Sequence, residues 1–149
     1  MRWKERLFLE IKMICIEQLN DGFSILSRYL RSRGYDTKGF SEEQDFEISY
    51  SNPEIDRQIN FQLFNNQSMH LMMLISSDGG FLLSDFLKAK GLLSEEKSIE
   101  KLNNLPGPID LETVKKLASE IVDIIDRHLQ QHVDGKIWEE ISFDFGDYK

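Results

Sequence analysis

The sequence is short of the residues that staple, break or anchor a chain. Its 149 residues hold one cysteine, Cys15, so no disulfide can form within the chain. Domains of about 150 residues bury enough surface to fold without such a staple. The length fits one domain over residues 1–149. Three prolines leave few forced breaks, and two of them, Pro106 and Pro108, fall in one loop. No apolar run approaches the roughly 18 residues of a membrane helix. The longest apolar-rich stretch, Leu7 to Ile16, is interrupted by Glu10 and Lys12 and followed by no small-residue cleavage site. That pattern argues against a signal peptide, and together with the single thiol it predicts a cytoplasmic chain.

Bases are also scarce. Eighteen Lys and Arg face 26 Asp and Glu, for a net charge of −8. General nucleic-acid binding needs a basic face that releases counterions, and anionic membranes need the same. Both classes are disfavoured. The imbalance is uneven: residues 1–38 hold eight bases and five acids, and residues 39–149 hold ten bases and twenty-one acids. Glycine-rich phosphate loops, a Gly-x-Gly-x-x-Gly fingerprint and a nucleophile elbow are all missing. Asp144-Phe145-Gly146 spells a kinase magnesium motif without the rest of the kinase signature.

The patterns that remain predict an α+β fold. Trp3, Leu7, Ile11 and Ile14 recur at helical spacing, and Ile25, Leu26, Tyr29 and Leu30 continue an apolar face up to Gly34. Residues 3–33 thus read as one helix, or two divided at Asn20-Asp21-Gly22. Strict alternation of Leu7, Leu9, Ile11, Met13 and Cys15 keeps a strand open for residues 7–16. A three-stranded antiparallel meander follows over 44–77. Phe46, Ile48 and Tyr50 mark its first strand, Ile55, Ile59, Phe61 and Leu63 its second, and Met69, Leu71, Met73 and Ile75 its third. Met72 and Leu74 predict burial of that third strand on both faces. Helices then cover one face of the sheet. One spans 81–90 and closes at Gly91, one is capped by Ser94, and a long one runs from Asp110 to about His132. The long helix shows a stripe of Val114, Leu117, Ala118, Ile121, Val122, Ile125 and Leu129. Ile141, Phe143 and Phe145 alternate as a short terminal strand.

Candidate chemistry is thin. His128 and His132 stand four apart, a spacing that puts both imidazoles on one helix side, as zinc sites require. The residue after His128 is Leu129 rather than the glutamate of a zinc peptidase, and no third ligand is selected by spacing, so no metal and no cofactor is predicted. Cys15 lies among Met13, Ile14 and Ile16, an apolar setting that leaves a thiol inert. Arg28, Arg31, Arg33 and Lys38 form the one basic cluster, expected to pair with the acidic remainder, with phosphate binding as the sharper alternative. Met69, Met72 and Met73 read as core filling. The acid pairs suit solvated surface better than a two-carboxylate hydrolase, which predicts no enzyme.

Two acidic segments stand out. One carries Glu42, Glu43, Asp45 and Glu47 without a base, and the other carries Glu139, Glu140, Asp144 and Asp147 beside Trp138, Phe143 and Phe145. Acids with exposed aromatics fit a surface that meets a basic protein, charge setting the encounter rate and aromatics anchoring it. In size, acidity and these two segments the chain resembles the small immunity proteins that bacteria carry beside secreted toxins. That resemblance implies a stoichiometric inhibitor of a cognate toxin, with carboxylates mimicking substrate phosphate and Trp138, Phe143 or Phe145 as anchors. It implies a monomer or homodimer. The alternatives are a dimeric chaperone for a secreted effector, which would expose the methionines, or a small metal-dependent enzyme using His128 and His132.

Overall fold

In a computed structural model the described residues are 16–42, 45–64, 69–103 and 110–141. Cys15 and the Leu7–Cys15 alternation lie outside them, as do Glu43, Phe143, Asp144, Phe145 and Asp147.

Helices α1 (Ile16–Gly22) and α2 (Ser24–Arg31) open the described chain, broken at Phe23 as the Asn-Asp-Gly sequence predicts. The break also serves packing. A β-carbon on Gly22 would lie 2.4 Å from a Val114 methyl, so only glycine lets α1 approach this closely.

The sheet has five antiparallel strands in chain order, not three. They are β1 (Asp36–Glu42), β2 (Asp45–Asn52), β3 (Arg57–Phe64), β4 (Met69–Ser76) and β5 (Gly79–Leu82). The middle three are the predicted meander, while Ile55 sits in a one-turn helix, Pro53–Ile55, before β3. The outer two escape a hydrophobic-pattern reading for a physical reason. An edge strand needs little apolar content: β1 reads Asp-Thr-Lys-Gly-Phe-Ser-Glu, and β5 buries Phe81 alone.

One face of the sheet carries the core. Ile48 and Tyr50, then Ile59, Phe61 and Leu63, then Met72 and Leu74, then Phe81 are all buried there. The opposite face presents Lys38, Ser51, Gln62 and Met73 to solvent, so β4 is buried on one side only. The methionines accordingly part company: Met72 fills core, and Met73 is 38% exposed.

Helices α3 (Leu83–Ala89), α4 (Leu93–Asn103) and α5 (Leu111–Ile124) complete the core layer. Asp110 caps α5, its carboxylate accepting the Thr113 amide at 2.8 Å. The predicted Ser94 cap is displaced. Helix α4 begins one residue earlier, the Leu92 carbonyl takes its first amide from Glu96, and Ser94 lies inside the first turn. Beyond α5 the helix continues through a π-helical turn, Ile125–Leu129, into α6 (Gln130–Val133). That turn inserts one residue into the stripe. Burial runs Val114, Leu117, Ala118, Ile121, Ile124, Ile125 and then Leu129, His132, Val133. Ile141 is described without strand structure, and the remainder of the proposed terminal strand lies outside the described residues.

Candidate functional site

The π-helical turn opens a cleft of about 440 Å³ against α3, lined by Phe86, Lys90, His128, His132 and Glu139 among others. Such turns interrupt a helix at a cost in regular hydrogen bonding and are concentrated at functional sites. Both histidines reach this cleft, as their spacing predicts, but each meets its own carboxylate. His128 Nε2 lies 3.1 Å from Glu95 on α4, and His132 Nε2 lies 2.9 Å from Glu139. The second oxygen of Glu139 accepts Lys90 Nζ at 2.5 Å. Among the described residues no group of three or more His, Cys, Asp or Glu is placed to hold a metal.

His132 is 3% exposed, with the edges of Phe81 and Phe86 against its ring and Nδ1 buried without a partner. The Lys90 ammonium holds the Glu139 carboxyl below the usual carboxylate range; burial opposes this and the His132 hydrogen bond adds to it. Glu95 is lowered as well, first by its hydrogen bond from His128. Among the described residues no serine, threonine or cysteine lines this cleft. Its charged groups pair as donors and acceptors: Glu139 is tied to His132 on α6 and to Lys90 at the end of α3, and His128 to Glu95 on α4.

Arg57 fastens the same region from beneath. It is 8% exposed, and its Nε donates to the His132 carbonyl at 2.8 Å. Its Nη2 donates to the Ile137 carbonyl at 2.8 Å, and the guanidinium lies 5.0 Å from the centre of the Trp138 ring. A cation is well placed there, where the carbonyls of a helix end concentrate negative potential. Tyr35 Oη donates to the adjacent Val133 carbonyl at 2.6 Å. Sequence reasoning passed over Arg57. The signal was its phase: it shares the β3 face of Ile59, Phe61 and Leu63, where an apolar residue is expected.

These contacts place the second acidic segment. Trp138 is half-buried, packed on Arg57 and tilted against Phe81 at 5.3 Å, so it serves the core. Glu139 is committed to Lys90 and His132, and Glu140 is exposed.

The first acidic segment is organised by register. Glu42 and Asp45 are cross-strand partners at the end of the β1–β2 hairpin. Glu47 pairs with Phe40 and Asp45 with Phe64, so three acids and two aromatics share one corner of the sheet.

The basic cluster divides too. Arg33 pairs with Asp134 at 2.5 Å and lies over the Tyr29 ring. Arg28 and Arg31 have no carboxylate partner among the described residues. They line a separate groove of about 360 Å³. No family model matches the chain, and neither a curated protein nor a solved structure matches it.

Proposed function

We propose that the chain is a stoichiometric, protein-binding inhibitor of the immunity type, which meets a basic toxin through the acidic corner of its sheet. The carrying observation is the Glu42–Asp45 pair. Like charges directly opposite one another in an antiparallel ladder destabilise it. Here the register sets two acidic residues across from each other, with Glu47 two residues along the strand from Asp45. A cationic partner converts that repulsion into attraction and speeds encounter through the local field. Phe40 and Phe64 stand in register beside the acids, the combination that anchors interfaces. Glu140 and the tail residues Phe143, Asp144, Phe145 and Asp147 extend the acidic character, while Trp138 and Glu139 are engaged within the fold.

The test is neutralisation. A basic toxin encoded beside this chain is assayed with increasing wild-type protein and with E42K/D45K. Inhibition saturating at one equivalent, with slower association for the variant and a difference that shrinks in salt, supports the reading. Failure of the wild type to inhibit, or equal inhibition by the variant, overturns it.

A second reading, a dimeric chaperone for a secreted effector, is favoured by one feature. Met73 and Leu82 are register partners on the face of the sheet opposite the core, beside the half-buried Ile75. Light scattering separates the two, since a monomer at all concentrations removes the chaperone.

A further inference from the structure

The Arg28–Arg31 groove carries an inference independent of the protein-binding reading. Three features converge on it. Arg28 and Arg31 stand one turn apart on α2 and are both exposed. In a chain with 26 acids, neither is neutralised by a carboxylate among the described residues. The nearest interaction is a 3.4 Å contact from Arg28 Nε to the Ser24 carbonyl. The second feature is the wall. Ser24, Ser27, Asn20 and Thr37 supply hydroxyl and amide groups around the two guanidiniums, and no carboxylate lines the groove among the described residues. Ser27 Oγ is fixed by Tyr50 Oη at 2.9 Å, which positions it at the rim. The third is an unspent group. Thr37 Oγ1 is shielded from water and has no hydrogen-bond partner, although most buried polar atoms in folded proteins find one.

We propose that this groove binds the phosphomonoester of a small molecule. Two guanidinium forks with surrounding hydroxyls match a dianionic tetrahedral group, which takes several parallel charged hydrogen bonds. A planar carboxylate engages one fork and leaves the other unpaired. A volume of about 360 Å³ exceeds a bare phosphate and lies in the range of small-ligand sites. Polyanions fit poorly, because the chain carries a net charge of −8 and, among the described residues, no base besides these two arginines lines the groove.

The test is calorimetric titration at constant ionic strength with inorganic phosphate, ribose 5-phosphate, a phosphoserine peptide and a single-stranded oligonucleotide, and with sodium chloride as control. Saturable binding of phosphate and of ribose 5-phosphate, with none for chloride, is expected. R28Q/R31Q weakens it by about tenfold or more per guanidinium removed, the scale of a charged hydrogen bond. R28K/R31K, which keeps the charge and loses the fork, weakens it as well. Both positions are exposed, and circular dichroism melts of the variants confirm the fold without ligand. Absence of phosphate binding, or binding unchanged in R28Q/R31Q, overturns the site. Binding unchanged in R28K/R31K overturns forked recognition. Tighter binding of the peptide or the oligonucleotide than of ribose 5-phosphate overturns the small-molecule assignment.

Discussion

His132 Nε2 donates to Glu139 Oε1 at 2.9 Å across the turn that ends the long helix, and Lys90 completes the pair from α3. This places an acid-sensitive joint between α6 and the chain that follows it. Glu139 has its carboxyl held below the ordinary range by Lys90, so its charged form is favoured in the folded state. A depressed carboxyl contributes stability that is complete above its unfolded pKa, about 4.3, and is lost as pH falls through the lower folded value. Asp110, lowered by its cap bonds to Thr113, acts in the same direction. Urea unfolding followed from neutral pH downward therefore shows a stability decline that begins near pH 5. In E139Q that decline is shallower and the neutral stability lower. Identical acid profiles for E139Q and wild type would show that the joint contributes nothing.

Arg57 carries more of the same region than its single position suggests. Replacing it with methionine preserves much of the volume but removes the charged bonds to both carbonyls, leaving the His132 carbonyl with the Gly135 amide alone and the Ile137 carbonyl without its donor. The two lost charged bonds and the Ile137 acceptor left without its donor together cost about 3 kcal/mol. R57K does not restore this, because an ammonium cannot serve both carbonyls and stack on Trp138 as the planar fork does. Denaturant midpoints of R57M and R57K, with Trp138 fluorescence as a local probe, check the ranking. A midpoint within error of wild type for R57K refutes the fork argument.

Gly135 ends the helix under two constraints at once. Its φ of +74° is a left-handed conformation, and a β-carbon there would lie 2.7 Å from Ile55 Cβ. G135A is expected to destabilise by about 1–3 kcal/mol, from backbone strain and the clash together. The double variant G135A/I55G separates them. Removing the Ile55 β-carbon relieves the closest contact and leaves the φ penalty, so a partial and non-additive recovery is expected in a double-mutant cycle. Strict additivity would show that the two residues do not touch.

At the alkaline end the buried tyrosines set the limit. Burial pushes the Tyr50 hydroxyl up to about 12, only partly offset by its hydrogen bond with Ser27, and burial raises Tyr35 as well. Groups raised in the folded state give stability that is complete below the unfolded pKa, about 10, and lost as pH rises through the folded value. Ultraviolet titration thus shows Tyr50 and Tyr35 ionising only above the ordinary range, with unfolding developing there. Y50F keeps the ring, loses the bond to Ser27 and resists alkali better than wild type.

How much of this was written in the sequence depends on how far each feature depends on distant residues. Helix α5 was legible because its stripe and the Asp110 cap are local signals. The central strands were legible from alternation at Ile48, Tyr50, Ile59, Phe61 and Leu63. The edge strands β1 and β5 were not, because ladder bonds to a neighbour form them while their own sequences carry little apolar alternation. The π-helical turn has no local code. It shows only as the shift from Ile125 to Leu129, His132 and Val133, which separates the environments of two histidines expected to act together. Trp138 and Glu139 looked like a free acidic surface until Arg57 and Lys90, 81 and 49 residues away in sequence, claimed them.

The Glu42–Asp45 pair offers the sharpest separation of function from stability. A pair kept for the fold alone weakens the protein when broken. A repulsive pair kept for a partner does the reverse. D45K turns the cross-strand contact with Glu42 from repulsive to attractive, a change worth about 0.2–1 kcal/mol in an antiparallel ladder. The expected outcome is a higher melting temperature for D45K together with slower association with a basic partner. Salt narrows both differences, because exposed charges are screened over about 8 Å at physiological ionic strength. Loss of stability in D45K would mean that Asp45 serves the hairpin itself, and would remove the repulsion on which the binding corner is argued.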